Sequence, residues 1–229
     1  MHIIHRNSLP RGGFAGLRET RLVMSPRIFS SRRESGTSLG IGRLVYLADA
    51  RFMPLGETRM HPHKEIDVIS VMVEGRIQHE GSLQHGQELN ADSIQVQRAG
   101  GEGFTHNEIN PDNFKNRMIQ LWVLPETPDG AAVYQVYESK PGERKRVYGG
   151  ATEPAETIPA RTIIEIAQVH AGSKLAQPGK SLVYVTTGEG TTSDSANDDQ
   201  TITEGDLVES TDFNFTASKD SKLIIVYEK

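Results

Sequence analysis

The feature that most limits how this chain can fold is a series of short apolar runs, each stopped by glycine, proline or a polar turn. "GRLVYLADARF", "DVISVMVEG", "GRIQHEGS", "DSIQVQRAG" and "RMIQLWVLPE" are rich in β-branched, aromatic and leucine residues. In "SIQVQ", Ile94 and Val96 alternate with Gln95 and Gln97, the period of a strand with one buried face. Pro125 closes the last of these runs, because proline cannot donate to a ladder. No long helical period appears, and only "TEPAETIPARTIIEIAQ" offers a helical turn. Many short strands with frequent turns predict an all-β fold of sandwich or barrel type.

The rhythm occurs twice. "SLVYVTTGEG" follows the pattern of "VISVMVEGRI", and "TEGDLVEST" that of "NADSIQVQR", about half a chain away. Two β-units are therefore expected, residues 1–138 and 139–229. The stretch "SKPGERKRVYGGATEPAETIPA", rich in Pro, Gly and charge, reads as the linker. "EGTTSDSANDDQ" reads as a polar surface loop. Each unit is small, so a shared interface would help to bury enough apolar surface.

Composition narrows the function. The formal charge of -5 over 229 residues, with no basic stripe, argues against nucleic acid. The short basic stretch "KPGERKRVYGG" reads as a solvated connector. There is no cysteine, so any metal must be held by histidine and carboxylate. No apolar run reaches membrane-spanning length, and the first residues lack a secretory apolar core. A soluble, cytoplasmic monomer without membrane contact is expected, and Asn214 in "NFT" reads as a chance glycosylation match.

The histidines carry the chemistry. In an extended strand, residues two apart share a face, so His61 and His63 of "HPH" project together. His106 and Glu108 repeat the spacing after a turn containing Gly100, Gly101 and Gly103. The two pairs can converge as three imidazoles and one carboxylate, a donor set for a transition metal with positions left open for chemistry. Asp67 is placed to orient an imidazole N–H. His79 and His85 read as exposed, His2 and His5 as part of a loose terminus, and His170 as a core histidine. Ser38 in "GTSLG" matches a nucleophile elbow but lacks the strand before it and the helix after it.

Taken in order, "HPHKEIDVISVMVEG", "GSLQHGQELNADSIQVQRAGGEGFTHNEIN" and "QLWVLPE" resemble the pirin family of bicupins. The resemblance covers residues 40–126, with "GSLQHG" where many members have D-S-x-G and Asp67 where glutamate is usual. It implies two cupin barrels packed face to face, with one divalent transition metal in the first. His61, His63, His106 and Glu108 would hold it. Iron is the first expectation among iron, manganese, nickel, copper, cobalt and zinc. The second barrel carries Lys174, Leu175, Ala176 and Gln177 in place of a histidine pair and is expected to hold no metal. The resemblance also implies a dioxygenase that cleaves quercetin-like flavonols (2,4-cleavage with dioxygen). Glu108 would be the general base, and Phe104, Met72 and Trp122 would line the pocket for a phenolic substrate. The alternative it leaves open is a non-catalytic metal- or redox-sensing regulator that binds a protein partner.

Overall fold

The computed structural model describes residues 1–151 and 156–229. Among these the regular structure is strand, apart from short helical turns at Arg6–Ser8, Pro26–Phe29 and Ser30–Arg32. The chain is all-β and divides into two units. One comprises Leu9–Leu39 and Arg43–Glu138, the other Met1–Ser8, Gly40–Gly42 and Ser139–Lys229.

The unit holding the candidate residues has two antiparallel sheets. The larger runs Val133–Glu138, Ser93–Arg98, Asp67–Glu74, Arg117–Val123, Leu44–Phe52, Leu17–Met24 and Arg11–Phe14, in that lateral order. The smaller runs His61–His63, Phe104–Ile109, Arg76–Gly81 and Gln87–Asn90. In the larger sheet Trp122 lies opposite Tyr46, and Gln120 lies opposite both Ala48 and Ser70. The two-residue period therefore lines Tyr46, Gln120, Trp122 and Ser70 on one face, which holds the Glu108 side chain of the smaller sheet. Leu17, Ala50, Phe52, Met72, Ile77, Leu89 and Met118 pack as one apolar cluster in this unit. Each of its leucine, isoleucine, methionine and phenylalanine side chains contributes about 1.5–3 kcal/mol on burial. A buried ion pair, Arg117 Nη2 to Asp49 Oδ2 at 2.6 Å, ties two neighbouring central strands.

The other unit is one eight-stranded antiparallel sheet, with long strands Lys174–Thr187 and Asp206–Ala217 running through it. Its interior is filled by Val183, Val185, Ile202, Phe213, Phe215, Leu223 and Ile225. Lys174, Leu175, Ala176 and Gln177 open a strand paired to residues 213–216.

Several expectations are corrected. Residues 1–8 belong with the C-terminal unit because His2–His5 form a strand against Asp206–Glu209. There His5 Nδ1 lies 2.8 Å from Asp206 and His2 Nδ1 3.2 Å from Glu209, so the terminus is tied down. The expected linker contains the strand Arg144–Gly150, held by the burial of Val147 and Tyr148. Of the expected helical turn, residues 152–155 lie outside the described residues, and Ala160–Val169 is a strand paired on both sides. The expected polar loop is a hairpin of Glu189–Asp194 and Asn197–Thr203. His170 is exposed, 3.8 Å from Asp220. Ser38 is buried against the strand Leu17–Met24, its N–H donating to Leu22 O.

Candidate metal centre

The site is assembled by backbone geometry first. Arg59 takes a positive φ of 65°, and its carbonyl lies 2.8 Å from His61 Nδ1. That bond places the proton on Nδ1 and leaves the Nε2 lone pair free. The strand His61–His63 pairs with Phe104–Ile109 so that His106 lies opposite His61 and Phe104 opposite His63. The turn before Phe104 depends on Gly100, whose φ is +54° and where an added Cβ would stand 1.8 Å from Gly130 O.

The three imidazoles converge. His106 Nε2 is 3.0 Å from His61 Nε2 and 3.1 Å from His63 Nε2, and all three ligand nitrogens lie within 4.8 Å of one another. Glu108, two residues beyond His106 on the same strand, is fully buried. Ser70 Oγ donates to its Oε1 at 3.1 Å and Gln120 Nε2 to its Oε2 at 3.2 Å. Its carboxylate lines the same cavity as His61 and His63 and stands outside the group in which every donor is within 4.8 Å of the rest.

Burial sets the charge states. Burial, then neighbouring His61, brings His63 down to about 4. Burial, then His63, His61 and His79, brings His106 down to about 2. Burial pushes Glu108 up to about 7, against the Ser70 and Gln120 hydrogen bonds that favour its anion. His63 and His106 are thus neutral at pH 7, and their ring nitrogens are available as donors beside that of His61. Such a set of borderline donors fits a transition metal. His106 Nδ1, buried and without a hydrogen-bond partner among the described residues, carries the proton when Nε2 is a ligand.

The other predicted residues fall differently. Asp67 is buried and pairs with Arg98 across the ladder, Nη2 to Oδ2 3.3 Å, while the Arg59 carbonyl does the orienting of His61 expected of it. Trp122 lines the cavity beside the imidazoles. Phe104 is buried behind them, its ring 5.2 Å from those of His63 and His106, and packs with Val68 and Ala99. Met72 is a core residue under Ile77 and Leu89. Neither Met72 nor Phe104 forms part of the cavity wall.

Sequence reading missed a buried polar chain behind His106. His79, expected to be exposed, is fully buried with its ring 5.4 Å from that of His106, and Nδ1 lies 3.1 Å from Gln84 O. Gln95 and Gln97, expected on the solvent face, are fully buried. Gln95 Nε2 donates to Gln97 Oε1 at 2.6 Å, and Tyr134 O–H donates to Gln95 Oε1 at 3.1 Å. The alternation of "SIQVQ" is real, and both faces of that strand are covered.

The cavity that opens on the imidazoles has a volume of about 330 Å³. Its wall includes an aromatic stack, Phe29 on Tyr46 (6.0 Å, 27°) and Tyr46 on Trp122 (4.3 Å, 27°).

Comparison with known proteins agrees with this geometry. Residues 44–123 match the family model described as Pirin. A putative quercetin 2,3-dioxygenase of Zymomonas mobilis is 35% identical over 77 residues, 34% of this chain and 32% of the relative. Quercetin 2,3-dioxygenase of Escherichia coli K12 is 31% identical over 67 residues, 29% of each chain. The matched segment is thus about a third of the length of these relatives. A pirin-like protein of Arabidopsis thaliana is 27% identical over 208 residues, 77% of this chain and 66% of the relative. Among solved structures, the bacterial pirin YhhW of Escherichia coli in complex with nickel(II) superposes with a TM-score of 0.81 at 15% identity, covering 98% of this chain and 97% of that one. No described helix is long and apolar enough to cross a membrane. The strands that carry the three imidazoles and Glu108 lie within residues 44–123, the segment that matches the Pirin family model.

Proposed function

We propose that this chain is a metal-dependent dioxygenase of flavonol-like phenolics, with one transition metal, iron first among the candidates, held by His61, His63, His106 and Glu108. The observation that carries the reading is the meeting of three imidazole nitrogens, two of the rings held neutral, beside an aromatic-walled cavity that His61 and His63 line. The dioxygenase names of the relatives and the nickel(II) complex of the structural neighbour support the same assignment.

The metal, when bound, supplies Lewis acidity and electron transfer to dioxygen. The protein's own contribution is positional. Tyr46 and Trp122 offer ring faces against which a planar substrate stacks. Glu108, which lines the same cavity, is placed to accept the substrate's hydroxyl proton on a carboxylate oxygen. Ser70 and Gln120 hold that carboxylate in place, and Gln120 is in turn held by Trp122, whose indole N–H donates to Gln120 Oε1 at 3.2 Å. A line of hydrogen bonds therefore connects the stacking wall to the base.

Aerobic incubation of the metal-loaded protein with quercetin tests this reading. Loss of the flavonol absorbance with at least one of iron, manganese, nickel, copper or cobalt is expected. A protein that binds metal at these histidines and leaves quercetin untouched would instead point to the regulatory alternative.

A further inference from the structure

The cavity wall carries a second polar group that the metal centre does not use. Glu19 is only 8% exposed, yet it lines the cavity. Tyr46 O–H donates to Glu19 Oε2 at 2.6 Å. Glu19 Oε1 is engaged far more loosely, 3.6 Å from Arg21 Nε, which itself is buried with no hydrogen-bond partner among the described residues. Arg21 directs Nη2 instead to Glu34 Oε1 at 2.8 Å. Two carboxylates thus share one guanidinium, and the cluster is acidic. A buried carboxylate with an underused oxygen is costly to the fold unless something pairs with it.

The position is fixed by sheet register. Glu19 pairs with Ala50 on the strand that also carries Tyr46, and Tyr46 pairs with Trp122 on the next strand. Side chains as small as Ala50 leave room above the sheet, and the cavity extends over Leu17, Ala50 and Met118. The same cavity therefore offers an imidazole centre, a flat aromatic wall and a carboxylate acceptor.

We propose that Glu19, steadied by Tyr46, is the specificity-determining acceptor for a hydroxyl on the substrate's aromatic body, separate from the oxygen that meets the metal. This rests on the phenolic reading of the cavity and narrows it. The preferred substrates are polyhydroxylated neutral aromatics. Aromatics with a carboxylate at that position are rejected by the acidic cluster.

The chain has a single tryptophan, Trp122, in the cavity wall, so its fluorescence reports on ligands stacked there. The test is an anaerobic titration of metal-loaded protein with two probes, quercetin and 3-hydroxyflavone. Both carry the 3-hydroxyl and 4-keto oxygens, and only quercetin carries further hydroxyls. The wild type should bind quercetin about tenfold more tightly, the size expected when a buried acceptor gains a partner. The variant Glu19→Gln, whose amide oxygen still accepts from Tyr46 O–H, removes the anionic acceptor and should lose that preference and keep its affinity for 3-hydroxyflavone. Equal affinity of the wild type for both probes would overturn the role of Glu19 alone, and this arm needs no variant to fold. A Glu19→Gln variant that folds and keeps the preference would overturn it as well. Binding of neither probe would overturn the phenolic reading and this inference with it.

Discussion

His106 Nε2 stands 3.0 Å from His61 Nε2, although 45 residues separate the two in the chain. The contact follows from antiparallel pairing that sets the two residues opposite each other, with side chains on the same face. A cation at that point converts an unfavourable meeting of acceptors into a stabilising site. Added nickel(II) or iron(II) should therefore raise the melting temperature of the wild type and leave that of His61→Ala unchanged, as followed by thermal denaturation.

Glu108 differs in kind from the imidazoles, because its oxygens already hold Ser70 and Gln120. Glu108→Gln keeps the shape and loses the ability to take a proton. Its metal content should fall less than that of His106→Ala, while the rate of flavonol loss falls by about 10²–10⁴-fold. Parallel metal analysis and steady-state assays on both variants check the split.

The metal-free protein should lose stability as pH falls below about 6.5. In the unfolded chain these imidazoles protonate near that value. In the folded chain His63 and His79 do so only near about 4, and His106 near about 2. Between these limits the unfolded state binds more protons, so acidification favours it. Urea midpoints measured on metal-free protein at pH 7, 6 and 5 should decline in that order, and less steeply in His79→Phe if that variant folds.

The Arg117–Asp49 pair is buried on both sides. Asp49→Ala leaves a guanidinium in the interior and should cost about 3–5 kcal/mol. Chemical denaturation checks the figure.

Gly100→Ala tests the turn. A side chain there requires a left-handed backbone and meets Gly130 O, so the turn must shift and move His106 with it. Destabilisation of at least about 1 kcal/mol, with weaker metal binding, is expected from denaturation and metal titration.

Much of this was legible in the sequence. The turns after Glu74 and Thr187 are glycines with positive φ, as the repeated "VEG" and "TTG" implied. The i, i+2 spacing of His61 with His63 and of His106 with Glu108 put each pair on one face. What was not legible depends on the partner strand. Gln95, Gln97 and His79 looked solvent-facing because alternation reports which residues share a face, and both faces of these strands are covered. Asp67 found Arg98 because the two are register partners, which no local pattern reveals. Glu19 and Tyr46 carried no signal either, since 27 residues separate them and only the ladder between their strands brings them together.

The most direct test of the central claim is the transition-metal content of purified protein, measured by elemental analysis beside His106→Ala. One equivalent per chain in the wild type and almost none in the variant is the result expected. Equal metal in both, or none taken up by wild type offered iron, nickel, manganese, copper, cobalt and zinc, would contradict it.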